Sequence, residues 1–404
     1  MNVLIFTLVV FAGSLFAGFL GSLTGLGGGV VIVPLLTVAL GVDIRYAIGA
    51  SLVSVIATSS GAAAAYLKEG FTNMRVGIFL EVATTSGAIL GASVATRLPG
   101  PAIEVVFGVV LLVSVYLTLS LRKLPAVGGE GLARRLRLNG SYPTPNGDVS
   151  YTPRRVPLGF GIMAGAGALS GLLGIGSGAV KVLALDQAMR LPFKVSTTTS
   201  NFMIGVTAAA SAGIYLRRGF ITPGLAMPVM LGVLAGSLIG ARLLISARAP
   251  PASRLRRRDL RAGRRDDRRG AAPMIRRSDQ GRWSDRAVEA TMGTVLRYGV
   301  VLAAVLVAAG GVAYLFERWD HATHYSVFAG SPESLTTPAA ILRGALALDP
   351  ASLIALGLVV LVLTPVARVV FALLAFVEQR DRLYVIFSLI VLSVLFIGLT
   401  GHSL

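Results

Sequence analysis

Long apolar segments alternate with short polar turns along most of the chain. Runs of about 20 apolar residues are long enough to cross the hydrocarbon core of a bilayer as helices. Such runs lie near 3–23, 46–66, 74–97, 101–121, 157–173, 195–216, 223–245, 293–316, 351–376 and 383–400. Two shorter runs, 29–41 and 178–190, each follow a glycine cluster. The pattern predicts an all-α integral membrane protein with two half-helices, re-entrant segments or short tilted spans.

The chain repeats itself at a fixed offset of 149 residues. The glycines of both clusters fall into register, and so do two Tyr-Leu-x-x-Gly-Phe segments that begin at Tyr66 and Tyr215. One further span, 101–121, separates the two four-segment copies, and an odd extra span turns the second copy over. We therefore expect an inverted-repeat helical bundle with broken or re-entrant helices, the arrangement of many secondary transporters.

Polar linkers divide the chain into five parts. Residues 1–121 form repeat one with its connecting helix, 122–155 a basic linker, 156–245 repeat two, 246–286 an arginine-rich linker, and 287–404 a three-helix membrane domain. The turn-rich first linker is expected to be flexible, and the arginine run of the second to be disordered. The last part has no copy in the repeats and is interpreted as an appended accessory domain.

The composition supports a membrane protein and explains where the charge lies. The chain is 54% hydrophobic and only 14% charged, whereas soluble domains carry about 25% charged residues. Of the net charge of +18, most falls in the two linkers, which the positive-inside rule places on the cytoplasmic side of the membrane. Membrane lipid is an expected partner of the arginine run, a homo-oligomer is possible by composition, and nucleic acid is not expected.

The two glycine clusters are the strongest candidates for a binding site. They comprise Gly25, Gly27, Gly28 and Gly29 in repeat one, and Gly174, Gly176, Ser177 and Gly178 in repeat two. A broken helix within a bilayer is tolerated where protein or a water-filled cavity satisfies the freed backbone groups, and the bare N–H groups at a helix start suit an anion. The alternative interpretation is close helix packing through small residues.

Ionisable residues inside apolar runs are the next candidates, because charge within a membrane is costly. Lys181 follows the second cluster and could neutralise a bound anion, unless it reaches the interface or pairs with Asp186. Glu81 is the candidate for proton coupling, unless it lies at the interface near its helix start. Ser51, Ser200 and Asn201 offer hydroxyl and amide groups for a small oxyanion, with helix capping and interhelical hydrogen bonds as the alternative.

Other chemistry has little support in the sequence. The chain has no cysteine, and the motifs of hydrolases and metalloproteases are absent, so no enzyme and no cofactor is predicted. His321 and His324 share a polar segment and have metal-like spacing, but no third strong ligand pattern accompanies them. No metal site is predicted.

The glycine motifs resemble those of a known family. Gly-Ser-Leu-Thr-Gly-Leu-Gly-Gly-Gly at 21–29, its echo at 169–178 and the two Tyr-Leu-x-x-Gly-Phe turns are similar to the sulfite exporter TauE/SafE family of permeases, over about residues 5–245. The resemblance implies a transporter of sulfite, sulfonates or related anions. Ser177 and Lys181 depart from the pattern of repeat one, where Ile32 stands opposite Lys181. The last 120 residues resemble a three-helix membrane domain of unknown function.

These observations predict a secondary transporter that exports a small anionic substrate such as sulfite, an organosulfonate or a related oxyanion. The alternatives are an anion channel, or a membrane sensor or scaffold whose arginine-rich loop binds a partner. A membrane-embedded enzyme is the least supported class, because catalytic groups are missing from the sequence.

Overall fold

The computed structural model describes residues 2–24, 27–66, 71–120, 130–144, 147–247, 285–321 and 324–400. Most of them are helical, as predicted. Repeat one contains α1 (Val3–Thr24), α2 (Gly29–Pro34), α3 (Ile44–Tyr66) and α4 (Met74–Ala95), and α5 (Gly100–Ser120) connects it to the linker. Repeat two contains α7 (Val156–Leu173), α8 (Gly178–Leu183), α9 (Phe193–Arg217) and α10 (Pro223–Ala247).

The helices of the two repeats keep the register of the sequence. The starts of α2, α3 and α4 are each 149 residues before the starts of α8, α9 and α10. Both short helices continue into one π-helical turn, Leu35–Ala39 after α2 and Ala184–Ala188 after α8. The prediction of two short broken segments at equivalent positions is therefore confirmed.

Each repeat packs its first helix against the last helix of the other. Gly232, Gly236 and Gly240 of α10 lie against residues 11–15, 15–19 and 19–22 of α1. Likewise, Gly87 and Gly91 of α4 lie against residues 164–168 and 168–172 of α7. In both pairs the numbers of the contacting residues increase together along the two helices, so each pair is parallel. Because glycine has no side chain, the backbones approach closely.

The two copies run in opposite directions. We call the face that contains residues 319–331 the loop face. The helix α3 begins there, since Asp43 N donates to Tyr325 O (2.8 Å) and Ala329 N donates to Tyr46 Oη (3.1 Å). Its counterpart α9 ends there, since Ser331 Oγ donates to Gly219 O (3.3 Å). Equivalent helices thus start on opposite faces, as the odd number of spans between them requires.

The first linker is partly ordered, contrary to the expectation of a flexible segment. Its described residues form α6 (Glu130–Arg135) and a hairpin of β1 (Gly140–Thr144) and β2 (Gly147–Tyr151). Asn73 Nδ2 donates to Leu138 O (3.2 Å) and to Tyr151 Oη (2.9 Å), which holds the hairpin against the start of α4. Burial raises the pKa of Tyr151 to about 12. We call this side of the molecule the hairpin face.

The C-terminal domain contains three long helices and one short helix. These are α11 (Asp285–Arg318), α12 (Pro338–Leu346), α13 (Pro350–Glu378) and α14 (Arg382–Leu399). The arginine run lies outside the described residues, but α10 ends and α11 begins on either side of it. The three long helices agree with the predicted three-helix domain.

This domain, which the sequence predicts to be an appended one, packs against the rest of the protein at several places. On the hairpin face, Asp381 lies 3.6 Å from both Arg75 and Arg137, and Tyr384 Oη donates to Leu136 O (2.6 Å). Within the bundle, Ser60 Oγ lies 3.1 Å from Thr364 Oγ1. On the loop face, residues 319–331 cover the helix ends of both repeats. The domain therefore contacts repeat one, the linker and repeat two.

Seven of the described helices are long and apolar enough to cross a membrane. They are α1, α4, α7, α10, α11, α13 and α14. The helices α3 and α9 have similar length but many hydroxyl side chains, and the residues 46–60 and 198–215 are all buried. A central pair of polar helices surrounded by apolar ones keeps hydroxyl groups away from lipid.

Candidate functional site

The two glycine breaks meet at the centre of the bundle. A Cβ atom at Gly27 would lie 3.7 Å from Val55 and 3.8 Å from Ile204, and one at Gly176 would lie 2.8 Å from Val55 and 3.0 Å from Ile204. Val55 and Ile204 are themselves repeat equivalents, on α3 and α9. Each break therefore contacts both α3 and α9. The structure brings the two clusters together, as the repeat predicts.

The backbone at these breaks explains the glycines. Gly27, Gly174 and Gly176 have φ values of +71°, +67° and +74°, which favour glycine. Ser177 adopts a left-handed conformation at φ +45°. Gly28, Gly29 and Gly178 are buried and begin the short helices α2 and α8. Gly25 lies outside the described residues.

Several hydroxyl groups tie the two copies to each other. Ser51 Oγ donates to Gly174 O (2.8 Å), and Ser59 Oγ donates to Asn201 O (2.9 Å). Both bonds join repeat one to repeat two. The hydrogen bond of Ser51 is of the interhelical kind that the alternative interpretation predicts. Ser200 Oγ is buried and has no hydrogen-bond partner among the described residues. Asn201 is 6% exposed.

Lys181 is fully buried, one turn into the helix that follows the second break. Its Nζ donates to Thr207 Oγ1 at 2.7 Å. The alternative pairing with Asp186 is not seen, and the ammonium group is not exposed to solvent. Thr207 lies on α9, one turn beyond Ile204, so Lys181 places its side-chain amino group next to the meeting point of the breaks.

Glu81 is also fully buried, in the middle of the bundle. Neither carboxyl oxygen has a hydrogen-bond partner among the described residues. Glu81 interacts electrostatically with Arg368 and Lys181.

Arg368 is the buried charge that the sequence analysis missed. It lies on α13 of the C-terminal domain and is 1% exposed. Its Nη1 donates to Phe202 O (2.7 Å) and its Cζ lies 5.2 Å from the centre of the Phe202 ring. An arginine within the apolar run 351–376 was the available signal, by the same rule that selected Lys181.

A mostly apolar cavity opens beside the second break. It has a volume of about 240 Å³ and is lined by α5, the starts of α2 and α8, and the end of α7. Ser177, whose Oγ has no hydrogen-bond partner among the described residues, and Ser114 are the polar side chains in its lining. The start of α8 at Gly178 therefore borders open space.

The two histidines lie apart from this region. Val3 N donates to His321 O (2.9 Å) on the loop face, and His324 is exposed. Within the described part of the chain, no three His, Cys, Asp or Glu side chains are grouped as metal ligands.

Two oppositely oriented repeats with broken helices at a shared centre define a multi-pass membrane protein with the inverted-repeat architecture that is found in many secondary transporters. A model of the family described as sulfite exporter TauE/SafE matches residues 10–257. The chain belongs to this family. A second model, described as a protein of unknown function (DUF1634), matches residues 292–400.

Named relatives agree with membrane transport. The chain is 30% identical over 247 residues to the probable membrane transporter protein YunE of Bacillus subtilis. The aligned region covers 59% of this chain and 88% of the relative. The chain is 28% identical to the probable membrane transporter protein YdhB of the same organism, over 58% of this chain and 87% of the relative. A probable membrane transporter protein of Xylella fastidiosa is 27% identical, over 56% and 80%. No solved structure matches the chain.

Proposed function

We propose that this protein is a secondary transporter that exports a small anion, such as sulfite, an organosulfonate or a related oxyanion, across the plasma membrane. The supporting observation is that two inverted copies meet at their glycine breaks, with the ammonium group of Lys181 buried beside them. Alternating access in such folds proceeds around a fixed site between the repeats.

The proposed substrate site combines charge, hydroxyl groups and helix starts. Lys181 supplies a positive charge, and Ser177 and Ser200 supply buried hydroxyl groups without partners among the described residues. The short helices that begin at Gly29 and Gly178 direct their first N–H groups toward the same region. A buried cation gains stability from an anion that replaces the lost water.

The membrane orientation follows from the charge of the linkers. The first linker lies on the hairpin face, and the helices that flank the second linker end and begin on that face, so the positive-inside rule favours a cytoplasmic hairpin face and an outer loop face. A permease of this kind moves its substrate unchanged and catalyses no covalent reaction.

Transport by purified protein in liposomes tests the proposal. We expect saturable sulfite flux through the native protein, competed by sulfate or by a simple sulfonate, and driven by a proton gradient. Lys181→Met should reduce sulfite flux by about ten-fold or more, because a buried charge-assisted contact is lost. Lys194→Met is the matched control, since Lys194 is exposed and should leave the flux unchanged.

Three results would contradict the proposal or a part of it. Flux that rises linearly with sulfite and ignores the proton gradient would indicate a channel instead of a carrier. Equal flux through the Lys181 and Lys194 variants would remove Lys181 from the site. Absence of flux for every anion tested would favour a sensor or scaffold.

A further inference from the structure

The guanidinium group of Arg368 is only partly used by the protein. Its Nη1 donates to Phe202 O, whereas Nε and Nη2 are buried and have no hydrogen-bond partner among the described residues. These two nitrogens form one edge of the planar group, with two parallel N–H bonds. Such an edge matches two oxygens of one oxyanion in a bidentate contact.

Packing holds Arg368 in one place. Its guanidinium stacks over the Phe202 ring, and that ring in turn contacts Gly77 of α4, where a Cβ atom would lie 3.1 Å from it. One turn earlier on α13, Thr364 meets Ser60 of α3, and Pro365 lies next to Gly205 of α9. The position of Arg368 is therefore fixed by both repeats.

The charge around Arg368 is unbalanced when all groups are ionised. Glu81 is the acidic group that interacts with it, and Glu81 also interacts with Lys181. Two cations and one carboxylate leave one positive charge inside the bundle. Both carboxyl oxygens of Glu81 are unpaired among the described residues, so the carboxylate and the free guanidinium edge do not satisfy each other.

Arg368 contacts α9, the helix that also carries Ser200 and Asn201 and contacts Lys181. Its partner Phe202 follows Ser200 and Asn201 on α9, and Thr207, the partner of Lys181, lies further along that helix. The positive groups from α8 and α13 therefore reach α9 on either side of Ile204, where the breaks meet.

We propose that Arg368 is an anion-binding residue of the permease, so that the C-terminal domain completes the substrate site. This inference rests on the proposed function and deepens it. The free Nε and Nη2 edge binds an oxyanion through two of its oxygens, as in sulfite, a sulfonate or a carboxylate. A halide presents a single atom to this edge, so its two N–H contacts converge on one centre and match the parallel N–H bonds less well than two oxygens do.

Substitutions that separate charge from shape test the role of Arg368. Arg368→Lys keeps the positive charge but loses the bidentate edge, and Arg368→Gln loses both. We expect the KM for sulfite to rise about ten-fold or more in Arg368→Gln, and to rise less in Arg368→Lys. The inhibition of sulfite flux by chloride should become stronger in Arg368→Lys than in the native protein. Arg343→Gln, an exposed arginine of the same domain, is the control.

A binding measurement in detergent gives a second readout. Sulfite should raise the Tm of the native protein and of Arg343→Gln, and should not raise the Tm of Arg368→Gln. If Arg368→Gln fails to fold, the double variant Glu81→Gln/Arg368→Gln removes both charges together and takes its place.

The outcomes distinguish this inference from the proposed function. If the native protein transports sulfite and the Arg368 variants keep its KM and its Tm shift, Arg368 is structural and the inference fails alone. If the native protein neither transports nor binds sulfite, sulfate or a sulfonate, both fail together.

Discussion

Three fully buried charges define the chemistry at the residue scale. Glu81, Lys181 and Arg368 come from repeat one, repeat two and the C-terminal domain, respectively. Each would be costly alone inside a membrane, and such residues are retained where they pair or serve transport. Glu81 interacts electrostatically with both Lys181 and Arg368, so the three groups belong to one buried cluster.

Glu81 is expected to couple transport to protons. Its neutral form would leave two buried cations to attract the anion, whereas its carboxylate would neutralise one of them and favour release. Glu81→Gln mimics the neutral form permanently. We therefore expect sulfite accumulation driven by a proton gradient to fall by about ten-fold or more, while exchange of sulfite for sulfite continues.

Flux measured across a pH series checks this expectation. Glu81→Gln should flatten the pH dependence that the native protein shows, and Glu104→Gln should not, because Glu104 is exposed on α5. An unchanged pH dependence in Glu81→Gln would assign coupling to another group, with Lys181 and Arg368 as the charged neighbours to test next.

The sequence identified two of the three charges by one rule. Lys181 and Glu81 were selected because they interrupt apolar runs, and Arg368 interrupts a third run. The helix of Arg368 has no copy in the repeats, so nothing in the sequence pattern links this arginine to the site. Its contact with Phe202 depends on how α13 packs against α9, which no local pattern encodes.

Glycine determines the packing at the scale of the helices. The parallel pairs α1 with α10 and α4 with α7 approach backbone to backbone at glycine positions on one face. In lipid, close van der Waals contact between helices replaces the hydrophobic effect that drives packing in water. A side chain added on such a face has little room to move.

A matched pair of glycines on α7 tests this packing. A Cβ atom at Gly167 would lie 2.7 Å from Thr84 Cα, whereas at Gly165 nothing lies within 4 Å. Gly167→Val should destabilise the protein by at least about 1–3 kcal/mol. Gly165→Val should be tolerated. Thermal unfolding in detergent measures both, and equal Tm values would contradict the close approach of α4 and α7.

The element boundaries were largely readable from the sequence, with one clear exception. Glycine clusters marked the breaks, and the offset of 149 residues fixed equivalent starts. The hairpin at 140–151 was read as a flexible linker, although Asn146 and Gly147 form a dipeptide typical of hairpin turns. Its order depends on Asn73, which is remote in sequence, so the linker alone gave a weak signal.

At the scale of the whole molecule, the C-terminal domain contacts both faces. Residues 319–331 lie over the helix ends on the loop face, and Asp381 pairs with Arg75 and Arg137 on the hairpin face. Inside the bundle, α13 also contacts α3 and α9. When one repeat moves relative to the other, the C-terminal domain therefore either moves with a repeat or changes its contacts with α3 and α9.

The chain has no cysteine, which makes its orientation directly testable. Val149 on the hairpin is 44% exposed and Val327 on the loop face is 75% exposed. In intact cells, an impermeant maleimide should label Val327→Cys and should label Val149→Cys only after permeabilisation. The native chain is the unlabelled control.

Each labelling outcome has a distinct meaning. Labelling of both variants from outside would contradict their placement on opposite faces. Reversed labelling would keep the faces opposite and refute the cytoplasmic position of the basic linkers.

The origin of the three charges has a consequence for biogenesis. A ribosome delivers α4 with Glu81 to the membrane long before α8 brings Lys181, and α13 with Arg368 arrives near the end of synthesis. The acidic helix therefore enters lipid before its counter-charges exist, at a cost of about 2.5–3.5 kcal/mol for an ionised acid at the bilayer centre. Insertion with Glu81 neutral avoids that cost. Glu81 meets both of its basic neighbours only when the C-terminal domain docks.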